Sequence, residues 1–444
     1  MNECRYYENR LTPPALTEDA KEDVLIWLRT SAVKGISIIE ANTPHAGSDS
    51  HDHLYTGHSG IALAYIRLAH QLPELEVAEG FDYPKLVQKH LSLHHRHAPH
   101  AGKLSPIGSV TGAALVAAHH QLLSLGDDAE EWEKAMVTLG SAVQAACESD
   151  EVGGDEVLYG RAGLLWAIMN FQKLGGRAEE GVKQWGPDIV PTIVRKIIES
   201  GTKRTLQYME ATGDHNEGVL MWEWHGKMYL GAMHGAAGIL TVLLQVPREV
   251  IEPYLPEMIT TVKALCRLTL DNDGHLPSAI PVHHRSDPYV QICHGSPGLV
   301  ILLVALKQFA KDYYEDDLIF GNTLQAAAQK VWEQGLVKKG LGICHGVAGN
   351  AWALMLYGRV CDGICTKELW LSRGLALLMK TTEMPPMVPA KNSLFRLPDV
   401  PLSLFEGLAG TVAAYAEAYN LVKGDDERVL GFPGLGGKGV MGYF

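Results

Sequence analysis

Nowhere in the 444 residues is there an apolar run long enough to cross a bilayer. The longest, such as Gly298 to Leu306, fall far short of the ~20 residues a spanning helix needs. A basic surplus is also missing. The 51 Asp and Glu exceed the 38 Lys and Arg, giving a formal charge of −13. That balance argues against nucleic acid as partner, because phosphate binding requires concentrated positive charge. An anionic small substrate stays compatible, since a local pair such as Lys338 and Lys339 outweighs distant acidic groups. The seven cysteines are scattered and odd in number, so they do not read as a disulfide framework. Met1 to Leu11 is polar, with Glu3, Arg5, Glu8 and Arg10, and lacks the apolar centre of a secretory leader. Asn2 stands where N-myristoylation needs glycine, so an anchor on a cysteine such as Cys4 is the remaining route to a membrane surface, and nothing in the sequence supports it. A reducing, cytoplasmic setting is expected.

What is present is a core. Hydrophobic residues make up 46% against 20% charged, the balance of a globular chain. A short signature recurs along it: glycine, two residues, glycine, then an apolar run. It stands as Gly57-His58-Ser59-Gly60, Gly160-Arg161-Ala162-Gly163, Gly235-Ala236-Ala237-Gly238, Gly295 to Gly298, Gly346 to Gly349 and Gly407-Leu408-Ala409-Gly410. A seventh copy, Ser109-Val110-Thr111-Gly112, has lost its first glycine. The runs that follow (61–65, 113–118, 164–169, 239–244, 299–306, 351–357 and 411–419) lack period-2 alternation and are rich in Ala and Leu. They predict helices buried on most sides. Between them lie amphipathic stretches: 130–147, 189–199, 251–270, 322–335 and 366–380. The stretch 17–32 supplies one more outer partner. Seven hairpins of one apolar and one amphipathic helix can close into a ring or stack as an open solenoid, and periodicity alone leaves both open. In either case the seven signature loops should gather at one end. The paired glycines fit positions where a Cβ would clash with a neighbouring backbone.

Two copies carry more than glycine. Ile292-Cys293-His294-Gly295 and Ile343-Cys344-His345-Gly346 place two thiols and two imidazoles at equivalent points, 51 residues apart. Thiolate and imidazole are the ligands zinc prefers, and two sulfurs with one imidazole leave a fourth tetrahedral position open, as in catalytic sites. The competing reading makes both cysteines small buried hydrophobes. Spacing does not choose between His294 and His345, which share one slot.

These paired Cys-His-Gly segments and repeated signatures resemble the eukaryotic LanC-like proteins, relatives of bacterial lanthionine cyclases. Tyr159-Gly160-Arg161-Ala162-Gly163, Tyr229 to Gly235, Lys338-Lys339-Gly340, and Arg396-Leu397-Pro398-Asp399 leading to Ser403-Leu404-Phe405-Glu406-Gly407 add to the match, which runs in order from about residue 20 to 420. The resemblance implies an all-α fold, a closed (α/α)7 double toroid occupying residues 1–444 as one domain. It implies one zinc held by Cys293, Cys344 and His345, and glutathione bound by Lys339 and by Arg396, Leu397, Pro398 and Asp399. The implied reaction is addition of the glutathione thiol to dehydroalanine or dehydrobutyrine residues in peptides or proteins.

Within that expectation His234, in the slot before Gly235, is the candidate acid that protonates the enolate, since its pKa near neutrality suits proton exchange. Glu156, four residues before Gly160 where the bacterial cyclases have Asp, is the candidate catalytic carboxylate. His294 is then either a residue that supports the ligands or faces the substrate, or, as the favoured reading, a satisfied core histidine. Glu406 shares the pre-glycine slot and is placed either to face the ring centre or, as a carboxylate at a helix start commonly is, as a capping charge. Asp399 has the alternative of ordering its loop. Lys339 as a point charge and Arg396 as a fork suit the two glutathione carboxylates. Trp222-Glu223-Trp224-His225 lines the mouth or packs in the core. The competing functions are a glutathione-binding scaffold without turnover and, last, a glycoside hydrolase using Glu156 and Glu406, which leaves the Cys-His-Gly pairs without purpose.

Overall fold

Each glycine signature does open a helix. A computed structural model describes residues 4–43, 52–91, 99–100, 102–123, 128–149, 153–282 and 288–436; Asn2 and positions 283–287 of the 271–288 loop lie outside them. Fourteen helices carry the architecture. In chain order they are α1 (Glu18–Asn42), α2 (His58–Gln71), α3 (Tyr83–His90), α4 (Thr111–Leu123), α5 (Ala129–Glu148), α6 (Arg161–Lys173), α7 (Ile189–Thr202), α8 (Ala236–Leu243), α9 (Leu255–Asp271), α10 (Ser296–Phe309), α11 (Leu318–Gln334), α12 (Val347–Val360), α13 (Ile364–Lys380) and α14 (Leu408–Lys423). The even-numbered helices follow the signatures and form the inner ring. The odd-numbered ones lie outside.

Burial separates the two sets. Every residue of α8 is buried, as is nearly every residue of α10 up to Leu306. By contrast α7 buries Ile189, Ile193, Val194, Ile197 and Ile198 along one stripe, the i, i+4 spacing of a helix lying on a core. Burying such a side chain stabilises the fold by about 1.5–3 kcal/mol, so the stripe fixes which way α7 faces.

The ring closes. Inner helix α14 packs on α2, α2 on α4, α6 on α8, α8 on α10, α10 on α12 and α12 on α14. Helices α4 and α6 share a small apolar cavity through Leu115 and Leu164. Helix α1 packs on α14, so the amphipathic N-terminal helix completes the outer circle as expected, running on to Asn42. The short α3 was not expected. Its eight residues bury only Tyr83, Val87 and His90, too few to show a period.

The signature loops meet at one end in a cyclic set of backbone hydrogen bonds. Tyr55 N–H donates to Ile107 O (2.8 Å), Leu104 to Tyr159 (2.7 Å), Val157 to Met233 (3.1 Å) and Ala232 to Ile292 (3.1 Å). Cys293 N–H then donates to Cys344 O (3.2 Å), Cys344 to Phe405 (2.8 Å), and Phe405 back to Tyr55 (3.1 Å). The second glycine of each signature explains itself here. A Cβ on Gly60, Gly112, Gly163, Gly238, Gly298, Gly349 or Gly410 would overlap the carbonyl of the residue six positions earlier. It would also press on the loop of the preceding repeat, and for Gly60 that neighbour is Leu404 of the last one. In the second copy Ser109 stands in place of the lost glycine, its Oγ accepting from Thr111 N–H (3.4 Å) at the helix start and donating to Ser105 O (2.8 Å).

Among the described residues, no helix is long and apolar enough to cross a membrane.

Candidate metal centre and histidine pair

The cyclic loops decide which side chains meet. Positions two before the first glycine carry Cys293 and Cys344, and the position after Cys344 carries His345. The ligand atoms of these three residues all lie within 4.8 Å of one another, with both cysteines buried and His345 partly so. Edges of a tetrahedral zinc site with these donors are roughly 3.5 Å, so the set matches such a site within small side-chain movements. The structure groups His345, not His294, with the sulfurs.

The electrostatics of the three groups point the same way. The adjacent Cys293 and burial push the Cys344 thiol well above its ordinary pKa. Burial opposes charge on His345, but the hydrogen bond and charge of Cys344 outweigh it and raise that imidazole. A second buried sulfur beside Cys344 disfavours its ionisation, and a divalent cation between the two removes that penalty. The donor set therefore fits zinc.

One further group reaches the sulfur. Tyr55 O–H donates to Cys344 Sγ at 3.2 Å, and its ring stacks on Phe405 with centroids 5.2 Å apart. Burial, with Cys344 beside it, raises the phenol far above its ordinary value, so it stays a donor. Tyr55 was not expected at the site. The signal for it was present: it stands two before Gly57, the slot that Cys293 and Cys344 fill in their repeats. Cys293 Sγ in turn lies 3.6 Å from Gln291 Oε1.

Beside this group sits a second constellation. Glu156 is buried, and its carboxylate accepts from the backbone N–H groups of Leu158 (2.8 Å) and Tyr159 (2.7 Å). His234 Nδ1 lies 3.1 Å from Glu156 Oε2. An anchored carboxylate accepting at Nδ1 fixes the tautomer, leaving Nε2 as the reactive nitrogen. Trp224 lies flat on His234, centroids 4.1 Å apart and planes 12° from parallel. It is held at the end of a tight turn in which His225 and Gly226 both have positive φ. The Trp222–His225 cluster therefore divides: Trp222 packs in the core and donates to Ile197 O (2.9 Å), while Trp224 covers the histidine.

His294 departs from expectation. Its Nδ1 is buried and has no hydrogen-bond partner among the described residues, so it is not a satisfied core histidine. Its ring lies among Tyr229, Tyr289 and His234, with centroids 5.5, 5.9 and 6.1 Å away. Burial, with His234, His345 and Lys339 around it, lowers its pKa to about 4.

The expected glutathione contacts form one patch. Arg396 N–H donates to Lys338 O (3.1 Å), and Gly340 packs under Arg396 and Pro398. Lys339, Arg396, Leu397 and Asp399 are exposed, and Pro398 is buried. The Lys339 charge reaches both His294 and His345. Glu406 also acts on His345 and on Tyr55, consistent with a pre-glycine slot facing the ring centre.

A family model for lanthionine synthetase C-like proteins matches residues 48–424. Glutathione S-transferase LANCL1 of Danio rerio is 29% identical over 372 residues, covering 82% of this chain and 81% of its own. LanC-like protein GCL1 of Arabidopsis thaliana is 29% identical over 278 residues, covering 62% of this chain and 57% of its own. Among solved structures, nisin cyclase superposes with a TM-score of 0.57 over 92% of this chain and 99% of its own, at 14% identity. That likeness supports the toroidal fold.

Proposed function

The chain belongs to the lanthionine synthetase C-like family, and from that premise we propose that it adds the thiol of glutathione to dehydroalanine or dehydrobutyrine residues in peptides or proteins, with zinc. The observation that carries this reading is the meeting of Cys293, Cys344 and His345 with the Glu156–His234 pair at one end of the ring. The Danio rerio relative's name as a glutathione S-transferase supports glutathione as the thiol.

Cys293, Cys344 and His345 would hold the ion, leaving a fourth position. Zinc in such a setting lowers the pKa of a coordinated thiol and keeps it nucleophilic at neutral pH. Tyr55 donates to the Cys344 sulfur and so spreads part of the negative charge of two thiolates. Lys339 and Arg396, with Leu397, Pro398 and Asp399 beside them, offer two cations to the two glutathione carboxylates. Attack forms a bond from sulfur to the β-carbon and moves the double-bond electrons toward the carbonyl. His234, held through Nδ1 by Glu156, uses Nε2 to give the α-carbon its proton, and the proton lost by the thiol balances it. The seven cysteines are unpaired, which suits work in a reducing, cytoplasmic compartment.

The test is mass spectrometry of a dehydroalanine peptide incubated with protein and glutathione. Gain of one glutathione by wild type, lost in Cys344→Ala, is expected. Binding of glutathione with no peptide consumed would replace this reading with a scaffold.

A further inference from the structure

The two histidines at the centre carry opposite hydrogen-bonding demands. His234 has a carboxylate at Nδ1, so its proton sits there and Nε2 offers a lone pair. His294 has nothing at Nδ1, and that atom is sealed from solvent. Only Nδ1 of this ring is both buried and partnerless. A buried N–H without an acceptor is costlier and rarer than a buried lone pair without a donor. The uncharged ring therefore keeps its proton on Nε2, the nitrogen farther from the backbone. His294 thus presents a donor where His234 presents an acceptor.

Packing holds that donor in place without help from a hydrogen bond. Tyr229, Tyr289 and His234 surround the ring, and Gln291 N–H donates to His294 O (3.2 Å). The following Gly295 has φ +118°, and a Cβ there would overlap Tyr289 O, so the chain takes a path only glycine follows. His294 directly follows Cys293 and stands 6.1 Å, ring to ring, from His234. It is thus next in the chain to one candidate ion ligand and in ring contact with the proton donor.

We propose that His294 is a catalytic residue whose Nε2–H donates to the carbonyl oxygen of the dehydroamino acid and stabilises the enolate as the thiol adds. The inference rests on the function proposed above. In the addition, the S–Cβ bond forms, the Cα=Cβ pair shifts to make Cα=C, and the carbonyl pair moves onto oxygen. Charge on that oxygen strengthens a hydrogen bond already in place, which is how a fixed donor accelerates a reaction. The carbonyl reforms when His234 Nε2, having first accepted the proton that the thiol loses, delivers it to Cα; both histidines end as they began.

Two variants separate the roles of shape and proton. His294→Phe keeps a ring without a donor; His294→Gln places an amide N–H near the Nε2 position. With wild type active, His294→Phe should lose about 10²–10³ in kcat while its KM for glutathione and its zinc content stay unchanged. His294→Gln should recover at least tenfold of that loss. Equal rates for wild type and His294→Phe, or equal losses in both variants with metal retained, would overturn the proposal. If His294→Phe does not fold, His294→Gln and the tautomer decide. Nuclear magnetic resonance of 15N-histidine-labelled protein should find His234 as the Nδ1–H tautomer and His294 as Nε2–H; His294 as Nδ1–H would overturn the proposal without any turnover measurement. An inactive wild type contradicts the parent function instead, and the tautomer still tests the donor.

Discussion

At Glu156 one carboxylate accepts from Leu158 and Tyr159 backbone N–H groups and from His234, so loop and proton donor are built by the same side chain. An amide in its place keeps the shape but offers a donor where acceptors are needed. Glu156→Gln should therefore lower unfolding free energy by about 1–3 kcal/mol in denaturant titrations. Turnover of a dehydroalanine peptide should fall by about 10² or more, because His234 loses its fixed tautomer. Unchanged turnover would separate Glu156 from the chemistry. At this scale the sequence was informative where a slot repeated. Cys293, Cys344 and His345 stood out because two copies shared them, and Tyr55 was legible in principle from the same slot. Trp224 and His294 were not, since ring stacking and an unpartnered nitrogen depend on how distant loops meet.

Helices and loops carry their own constraints. The seven inner helices were readable because each carries a glycine in its first turn and is apolar on most sides. Gly238→Ala would drive a Cβ into Ala232 O and should cost at least about 1–3 kcal/mol. Gly321→Ala, on α11 with only Tyr314 Oη nearby at 3.7 Å, should stabilise by about 0.4–1 kcal/mol. Equal effects of the two substitutions would contradict the packing argument. A second joint ties three helices: Glu40 on α1 accepts from Tyr65 of α2 and from Lys89 and His90 at the end of α3. Burial works to raise the Glu40 pKa, but the hydrogen bonds of His90, Lys89 and Tyr65 outweigh it and hold it at about 2. A carboxylate depressed by folding contributes stability that is complete above its unfolded value of 4.5 and is lost as pH falls toward 2. Glu40→Gln should thus cost about 2–3 kcal/mol at pH 6, and the difference from wild type should vanish near pH 2. A pH-independent difference would contradict it. None of this joint was legible beforehand, because α3 is too short to show a period.

For the whole molecule, closure is the property that local patterns left open. The loop hydrogen bonds run full circle, and both ends of the described chain are tied into the ring. Tyr6 bridges to Val337, and the buried pair Arg67 and Glu417 pins the C-terminal segment. Arg67 Nη2 donates to Gly431 O (2.6 Å), while Glu417 accepts from Leu430 and Gly431 N–H. Removing Arg67 alone strands a buried carboxylate, so Arg67→Met should cost about 3–5 kcal/mol, and adding Glu417→Met should restore much of it. Because Glu417→Met also orphans the buried Leu430 and Gly431 N–H groups, Glu417→Gln, which removes the charge and keeps an acceptor, is the comparison that counts. If it too restores nothing in the Arg67→Met background, the charge pairing is not what holds the segment. The ring in turn exists, on this account, to bring Cys293, Cys344 and His345 from successive loops onto one ion. The direct test is the zinc content of purified protein beside an identically prepared Cys344→Ala variant. About one zinc per chain in wild type, lost in the variant while its helical signal persists, is the predicted result. Folded wild type without zinc, or a variant that keeps it, would contradict the account.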